Sequence, residues 1–292
     1  MKKLLFTAVL LLMVATISQS AMAADLWQWE LTLQQNKAGQ SMLLPSGLHI
    51  DPVLERYYVV DSGSNTILAY NRKGEFYKGF DADAQLLVPF DLVREEGYMW
   101  IIEKGKNSLT KIDIEARKIF PNTLYDNDKL IYPDRLEIDK NTLYVLDKLS
   151  GSVFALDKNL NINSRFSCGE CNNGFVDFKI RNGSLWALEQ GSKTVYRFTM
   201  DGALQGSIEL EKKLLNFPRS IEVDESGIIY ILDRHQGSIL VFDGKGGFRY
   251  SFLEAGVARG QTYYPIELKF DPWGRLCVVD EGNGRVQIFG HK

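Results

Sequence analysis

Cysteine and histidine are both scarce in this 292-residue chain, which has three of each. So few cysteines exclude a fold built on a framework of disulfides. No basic block is present, and 34 Lys and Arg against 37 Asp and Glu give a net charge of -3. This balance lacks the electrostatic footprint of a nucleic-acid-binding protein. Beyond the N-terminal segment, no stretch is apolar enough to predict a membrane span.

The first 23 residues have the order of a secretory signal peptide. Lys2 and Lys3 precede an apolar run from Leu4 to Ile17, and Ala21-Met22-Ala23 follows as a cleavage site. An uncleaved anchor is the alternative, but the run is shorter than the ~20 apolar residues that span a bilayer. We therefore expect cleavage near Ala23, a mature single domain over 24–292, and a periplasmic or secreted location.

Two of the cysteines form the sequence C-G-E-C in a polar Gly/Asn-rich stretch. Cys168 and Cys171 predict a local disulfide in an oxidising compartment, with a redox role as the alternative. Cys277 lies within the apolar run LCVV and predicts a buried free thiol.

A template recurs about every 42 to 47 residues along the chain. It starts with an apolar alternation that usually follows a proline, and the six copies begin at Pro45, Pro89, Pro133, Phe175, Pro218 and Pro265. A second apolar run in each copy ends in an acid, at Asp61, Glu103, Asp147, Glu189, Asp233 and Asp280. A polar turn, a third run and a more variable fourth run complete each copy.

Short runs rich in β-branched and aromatic residues, separated by Gly, Asn, Asp and Ser, are typical of antiparallel strands. Four strands repeated at this spacing predict an all-β, six-bladed β-propeller. A solenoid is the rival, but its end repeats are usually atypical, whereas the first and last copies here match well. The sixth copy lacks a fourth run. We predict that Leu26–Gln34 supplies it and closes the ring.

The rows P-x-x-φ-x-φ-D, Y-φ-φ-D and φ-x-φ-F-D-x-x-G resemble those of the NHL-repeat family of six-bladed propellers. The resemblance covers essentially the whole chain after the signal peptide. It implies a secreted bacterial propeller, and such proteins are associated with multicomponent envelope assemblies, including redox chains with cytochromes. Copy four departs from the pattern because Phe175 replaces the proline.

The alternation of strands in a blade brings two kinds of segment to one face of the ring. These are the connections that lead into strand one and the turns between strands two and three, and we call this side the front face. The six repeated acids lie at these turns. Capping of backbone N–H groups is favoured over a shared cation, because acids on separate blades are too far apart to share one ion.

The innermost strands carry two rows of residues predicted to point toward the channel. The fourth residue after each template proline gives a channel-lining row with His49, Glu137, Lys179, Glu222 and Lys269. Two residues earlier the row contains Asp91, Arg135, Asp177 and Glu267. Ion pairing between blades explains both rows, and a polar ligand or a calcium ion held in the channel is the functional alternative.

Aromatic and basic side chains accumulate in the connections of the front face. Arg219 and Tyr263 are the favoured binding candidates there. A large apolar residue directly precedes strand one in five copies and predicts packing between blades; these residues are Leu44, Val88, Tyr132, Phe217 and Tyr264.

Catalytic motifs such as HExxH, GxSxG or a phosphate-binding loop are absent from the sequence, and His49, His235 and His291 are widely separated. The motifs of amidating-lyase and gluconolactonase-like propellers cannot be matched residue by residue. We therefore expect a monomeric, non-catalytic binding or scaffolding propeller without a cofactor, whose partner is another envelope protein. The alternative is a metal-dependent lyase or lactone hydrolase acting at the central channel.

Overall fold

Six four-stranded antiparallel sheets make up the body of the protein. The structure, a computed structural model, describes residues 26–34, 41–169, 171 and 173–292. The predicted signal peptide lies outside these residues. Within them, the helical segments are two short 3-10 turns, Lys212–Leu214 and Glu281–Asn283. No helix of this part of the chain is long and apolar enough to cross a membrane.

The first three blades follow one another along the chain. Their strands, innermost first, are Pro45–Asp51, Arg56–Asp61, Thr66–Asn71 and Phe76–Phe80 for blade 1; Pro89–Glu95, Tyr98–Glu103, Ser108–Asp113 and Lys118–Asn122 for blade 2; and Pro133–Asp139, Thr142–Asp147, Val153–Leu156 and Ile162–Phe166 for blade 3. A two-stranded ribbon, Tyr125–Asp126 with Lys129–Leu130, connects blades 2 and 3.

The last three blades complete the ring. Their strands, innermost first, are Phe175–Arg181, Ser184–Glu189, Thr194–Thr199 and Leu204–Glu209 for blade 4; Pro218–Val223, Ile229–Asp233, Ser238–Phe242 and Phe248–Phe252 for blade 5; and Glu267–Phe270, Leu276–Asp280, Arg285–His291 and Trp27–Leu33 for blade 6. Between blades 5 and 6, Glu254–Ala255 pairs in parallel with Gln261–Thr262.

Ring closure by the N-terminal strand is confirmed. Trp27–Leu33 pairs antiparallel with Arg285–His291 and is the outermost strand of blade 6. Both ends of the described chain are therefore in one sheet, and the last blade has the same number of strands as the others. The all-β six-bladed propeller predicted from the repeats is the fold observed.

The hydrophobic core is divided into six clusters, one at each interface between neighbouring blades. Because each blade is covered on both faces, its central strands are apolar throughout rather than alternating. Ser184–Glu189, for example, is buried over its whole length. Burial on both faces explains the near-continuous apolar runs of the sequence.

Copy four departs from the proline template for a reason visible in its backbone. The N–H of Phe175 donates to the carbonyl oxygen of Gly151 in blade 3 at 2.8 Å, a bond that proline could not make. Gly151 and Gly174 approach so closely that a Cβ on Gly151 would lie 2.4 Å from the Cα of Gly174. The adjoining loop contains the predicted disulfide between Cys168 and Cys171, and Cys277 is a buried free cysteine, as expected.

Candidate functional site

The six repeated acids act as caps for the loops of the front face. Asp147 accepts hydrogen bonds from the backbone N–H groups of Tyr132 at 2.7 Å and Ser150 at 3.0 Å. Asp233 likewise accepts hydrogen bonds from the backbone N–H groups of Asn216 and of other residues. Each of the six accepts at least one backbone N–H, and all except Glu189 accept one from the connection into strand one, so in five blades the carboxylate holds that connection against the turn after strand two.

Ion pairs span the channel at the level of the predicted channel-lining row. Glu137 of blade 3 lies 3.0 Å from Nζ of Lys179 and 3.2 Å from Nζ of Lys269 on the opposite side of the ring. Glu267 lies within 4 Å of both lysines. Burial disfavours the charged form of Glu137, but the ammonium groups of Lys179 and Lys269 outweigh burial and lower the pKa of Glu137. Burial likewise disfavours the charged lysines, but Glu137 outweighs it and raises the pKa of both. Each partner therefore keeps its charge, which agrees with the ion pairing expected for this row.

Glu222 and His49 occupy the same row but are less involved in this network. Burial raises the pKa of Glu222, against the opposing effect of Arg181, whose guanidinium lies 3.2 Å from the carboxylate. Burial and the neighbouring Lys269 lower the pKa of His49 to about 3, so that its imidazole is neutral at physiological pH. Neither residue lies at the front opening of the channel.

Three carboxylates of the second row connect neighbouring blades through the backbone. Asp91, Asp177 and Glu267 each accept the N–H of an innermost-strand residue in the following blade at 2.9 Å; the donors are Leu136, Ile221 and Leu48. These carboxylates bind main-chain amides, and Glu267 also pairs with Lys179 and Lys269, so this row combines backbone hydrogen bonds with ion pairing. All three are at most 1% exposed.

Arg135 lies among these carboxylates and is only 2% exposed. Its Nη2 donates to the carbonyl oxygen of Ile266 at 3.2 Å, across the channel, whereas Nε and Nη1 have no hydrogen-bond partner among the described residues. The guanidinium lies over the ring of Phe90, 5.0 Å from its centroid. Burial alone would lower the pKa of Arg135, but Asp134 and the three carboxylates outweigh it, so the buried guanidinium retains its charge.

Asp91 has the most unusual titration in this group. Burial, followed by the neighbouring Glu267, raises the pKa of this carboxyl to about 7, although Arg135 acts in the opposite direction. A carboxyl group that titrates near neutrality inside a channel is a candidate for acid–base function.

At the front opening of the channel, three cations surround one acid. Nη2 of Arg219 lies 3.5 Å from Asp134, which also pairs with Lys104, and Arg135 follows Asp134 in the chain. Arg219 and Lys104 keep 16% and 26% of their side-chain surface exposed. We call Lys104, Asp134, Arg135 and Arg219 the mouth cluster.

Sequence reasoning identified Arg135 and Arg219 but missed Lys104 and Asp134. In blades 1 to 5 the pairing register shifts between the first and third residues of the innermost strand. Such a bulge turns the second residue of the strand, here Asp134 or Arg219, away from the regular alternation. A charged residue at this second position, in blades 3 and 5 only, was the signal available in the sequence.

Tyr263 lies apart from the mouth cluster, in the connection that leads into blade 6. Its backbone N–H donates to Asp280 at 2.7 Å, and its ring packs edge-on against Tyr264 with 4.7 Å between centroids. The side chain is 48% exposed. The structure therefore places this predicted binding residue on the front face but away from the channel.

The apolar residues that precede strand one do not pack between blades as expected. Leu44, Val88, Tyr132 and Tyr264 are each about 40 to 50% exposed, while Phe217 stacks on His235 with 4.4 Å between ring centroids. The caps supplied by the repeated acids hold these segments at the surface. This prediction was wrong, and the residues instead form part of the front surface.

A metal site is not indicated by the described residues. They include no group of three or more His, Cys, Asp or Glu side chains arranged to hold a metal ion.

Comparisons with known proteins identify the same architecture. A streptogramin B lyase is 12% identical, with 92% of this chain and 99% of that one aligned and a TM-score of 0.70. A gluconolactonase from Xanthomonas campestris is 16% identical over 94% and 93% of the two chains, with a TM-score of 0.68. An inactive variant of virginiamycin B lyase from Staphylococcus aureus, described with quinupristin, is 13% identical over 91% and 100%, with a TM-score of 0.66.

At these identities the likeness shows the fold alone. No protein-family description matches the chain, and neither does any curated protein sequence. Membership of the NHL-repeat family therefore stays a prediction. The names of these structural neighbours are those of enzymes.

Proposed function

We propose that this chain is an exported binding propeller that receives an acidic group of a protein partner at the mouth cluster. The observation that carries the proposal is the charge of this cluster. Lys104 and Arg219 both pair with Asp134, so two partly exposed cations share one acid, and the charge of Arg135 lies next to them, itself neighboured by Asp91, Asp177 and Glu267. A carboxylate from a partner would balance part of the excess and form charge-assisted hydrogen bonds.

The electrostatics of Arg219 support this proposal. Burial and the like charge of Arg135 lower the pKa of Arg219 to about 10, so the folded protein holds two guanidinium groups in mutual repulsion. Nε and Nη1 of Arg135 have no hydrogen-bond partner among the described residues but are buried, so Arg219 and Lys104 are the cations that a partner can reach. An added carboxylate would relieve the repulsion, and Arg recognises carboxylates through paired N–H donors.

The surface around the mouth cluster suits a protein partner. Many of the large apolar side chains that the described residues expose lie in front-face connections and turns: Leu43, Leu44, Leu87, Val88, Tyr125, Tyr132, Leu149, Val257, Tyr263 and Tyr264. The turns of the rear face expose only Val53, Leu54 and Ile114 among the described residues. Concentrated exposed apolar surface is a mark of protein-interaction sites, and tyrosine is frequent at binding hot spots.

The test starts from a partner captured from the native envelope fraction and purified, with affinity measured by calorimetry. Replacing Arg219 by alanine should weaken binding at least tenfold, because it removes a half-buried cation from the mouth cluster. Arg249→Ala is the matched control, since Arg249 is an exposed arginine on the outer strand of the same blade. Equal affinities of the two variants would contradict the proposal.

Catalysis at the channel is the second candidate, as a lyase or lactone hydrolase. It is favoured by the near-neutral pKa of Asp91 beside the Arg135 guanidinium, a pairing that could hold and transfer a proton next to a cation. The enzyme names of the structural neighbours add to this candidate.

A turnover assay distinguishes the two candidates. Glucono-1,5-lactone and quinupristin are incubated with the protein, and acid release or ring opening is followed. The enzymatic candidate predicts turnover that Asp91→Asn abolishes and that Asp201→Asn, a change at an exposed turn, preserves. No turnover above the rate of the uncatalysed reaction for either compound, together with partner binding that depends on Arg219, would favour the binding function.

A further inference from the structure

We infer that the cleft between the outer halves of blades 1 and 2 is a binding site for a small, uncharged apolar molecule. The cleft encloses about 360 Å³, within the range of small-molecule sites. Much of its wall is apolar and includes Ile67, Ala69, Phe80, Met99, Ile112 and Ile119. The site does not overlap with the mouth cluster and does not depend on the proposed function.

The cavity results from a local departure from the repeat. The third-strand residue at the position of Tyr70 in blade 1 packs toward the preceding blade, and it is aromatic in blades 1, 4, 5 and 6: Tyr70, Phe198, Phe242 and Phe289. Blade 2 has Ile112 instead, and the blade 1 residue in the same cluster is Ala69. In blade 3, Ala155 occupies the position that Ala69 has in blade 1. Ala155 lies in the same core cluster as Phe198 of blade 4. An alanine without an opposing aromatic ring leaves the space open.

The chemistry of the lining selects against ions. Ile67, Ala69, Met99 and Ile112 are at most 7% exposed and offer no polar side-chain atom. Charged side chains also line the cleft, but Lys78 and Arg117 are balanced by Asp83 and Asp113. A charged ligand would lose its hydration among these apolar side chains without gaining an opposite charge there. An apolar molecule has no favourable hydration to lose. Cavities lined by such residues bind small apolar molecules.

One wall of the cleft is conformationally strained. Ala82 and Asp83 line it, and with Ala84 they form three consecutive non-glycine residues at φ of 55°, 55° and 61°. The left-handed conformation is disfavoured for residues other than glycine. Strained backbone of this kind concentrates at ligand sites, where the surrounding structure maintains it.

The test is a methyl NMR titration with three probes that share one tail: 1-hexanol, hexanoate and hexylammonium. We expect saturable shifts of the Ile67, Met99 and Ile112 methyl groups with 1-hexanol, and at least tenfold weaker binding of both ions. Absence of a saturable shift with 1-hexanol would overturn the inference. Equal binding of hexanoate or hexylammonium would overturn the selection against charge.

Filling the cavity provides the matched variants. Ile112→Phe introduces the residue that blades 4 to 6 carry, and it should abolish the 1-hexanol shifts at Ile67 and Met99 while maintaining the midpoint of unfolding. Ala69→Leu fills the same space from blade 1 and serves if the first variant does not fold. The control, Leu156→Phe, makes the aromatic substitution at the equivalent position of blade 3 and should retain the shifts. Retained binding in a folded cavity-filled variant would overturn the inference.

Discussion

Replacing Trp27 by alanine removes the largest side chain with which the N-terminal strand is anchored in the ring. Trp27 is 7% exposed and stacks on Phe252 with 5.8 Å between ring centroids. It also meets Tyr230 edge-on at 6.1 Å and His291 at 4.9 Å. Removal of a buried aromatic side chain costs about 3–5 kcal/mol, and the aromatic pairs place this residue toward the upper end.

The measurement is urea unfolding of the full chain, followed by circular dichroism. Trp29→Ala is the matched control, because Trp29 belongs to the same strand but is partly exposed and makes a cation–π contact with Arg259 at 4.4 Å. We expect a loss of about 4 kcal/mol for Trp27→Ala and about 1 kcal/mol for the control. Equal losses, or a loss below about 1 kcal/mol for Trp27→Ala, would refute the conclusion that this strand is an integral part of blade 6.

Three further predictions concern the channel and the front face. Lys179→Met should lower the free energy of unfolding by about 3 kcal/mol, because it leaves the buried Glu137 and Glu267 with fewer cations. Lys129→Met, at an exposed position, should change the free energy of unfolding little. Urea unfolding of both variants makes the comparison. Burial and the neighbouring Glu267 raise the pKa of Asp91 from 3.8 to about 7 in the folded protein. The protonated Asp91 carboxyl therefore contributes its full stabilisation below pH 4, and this contribution is lost as the pH rises through 7. The stability of the native protein relative to Asp91→Asn should therefore fall between pH 4 and 7.5, and a constant or rising difference would contradict the raised pKa. Val88 has a φ of 49°, a conformation that β-branched residues avoid. Val88→Asn should therefore stabilise the protein by about 1 kcal/mol in thermal unfolding. A destabilised variant would argue against that backbone conformation.

The fold was predictable because the repeat occurs at every level of the sequence. Each copy places its apolar runs and turn residues at matching positions, so strands such as Tyr98–Glu103 and Thr142–Asp147 follow from local composition. Closure by Trp27–Leu33 followed from the missing fourth strand of the sixth copy. These features depend on neighbouring residues and on counting strands, and both can be determined from the sequence.

The candidate site was predictable only in part, because it depends on contacts between distant blades. Regular alternation placed Arg135 toward the channel, but the bulge at the start of the strand also directs Asp134 to the opening. Lys104 comes from a turn in another blade, and no local pattern connects it with Arg219. The cleft between blades 1 and 2 likewise required knowing that Ala69 faces Ile112.

Hydrogen exchange of the complex with its purified partner maps where the partner binds. We expect binding to slow amide exchange in front-face segments around Tyr132, Leu149 and Tyr263 and to leave the rear turns around Val53 and Ile114 unchanged. The Arg219→Ala variant should need an at least tenfold higher partner concentration to reach the same protection. Protection confined to the rear turns, or front-face protection that Arg219→Ala does not reduce, would contradict the claim that the mouth cluster holds an acidic group of the partner.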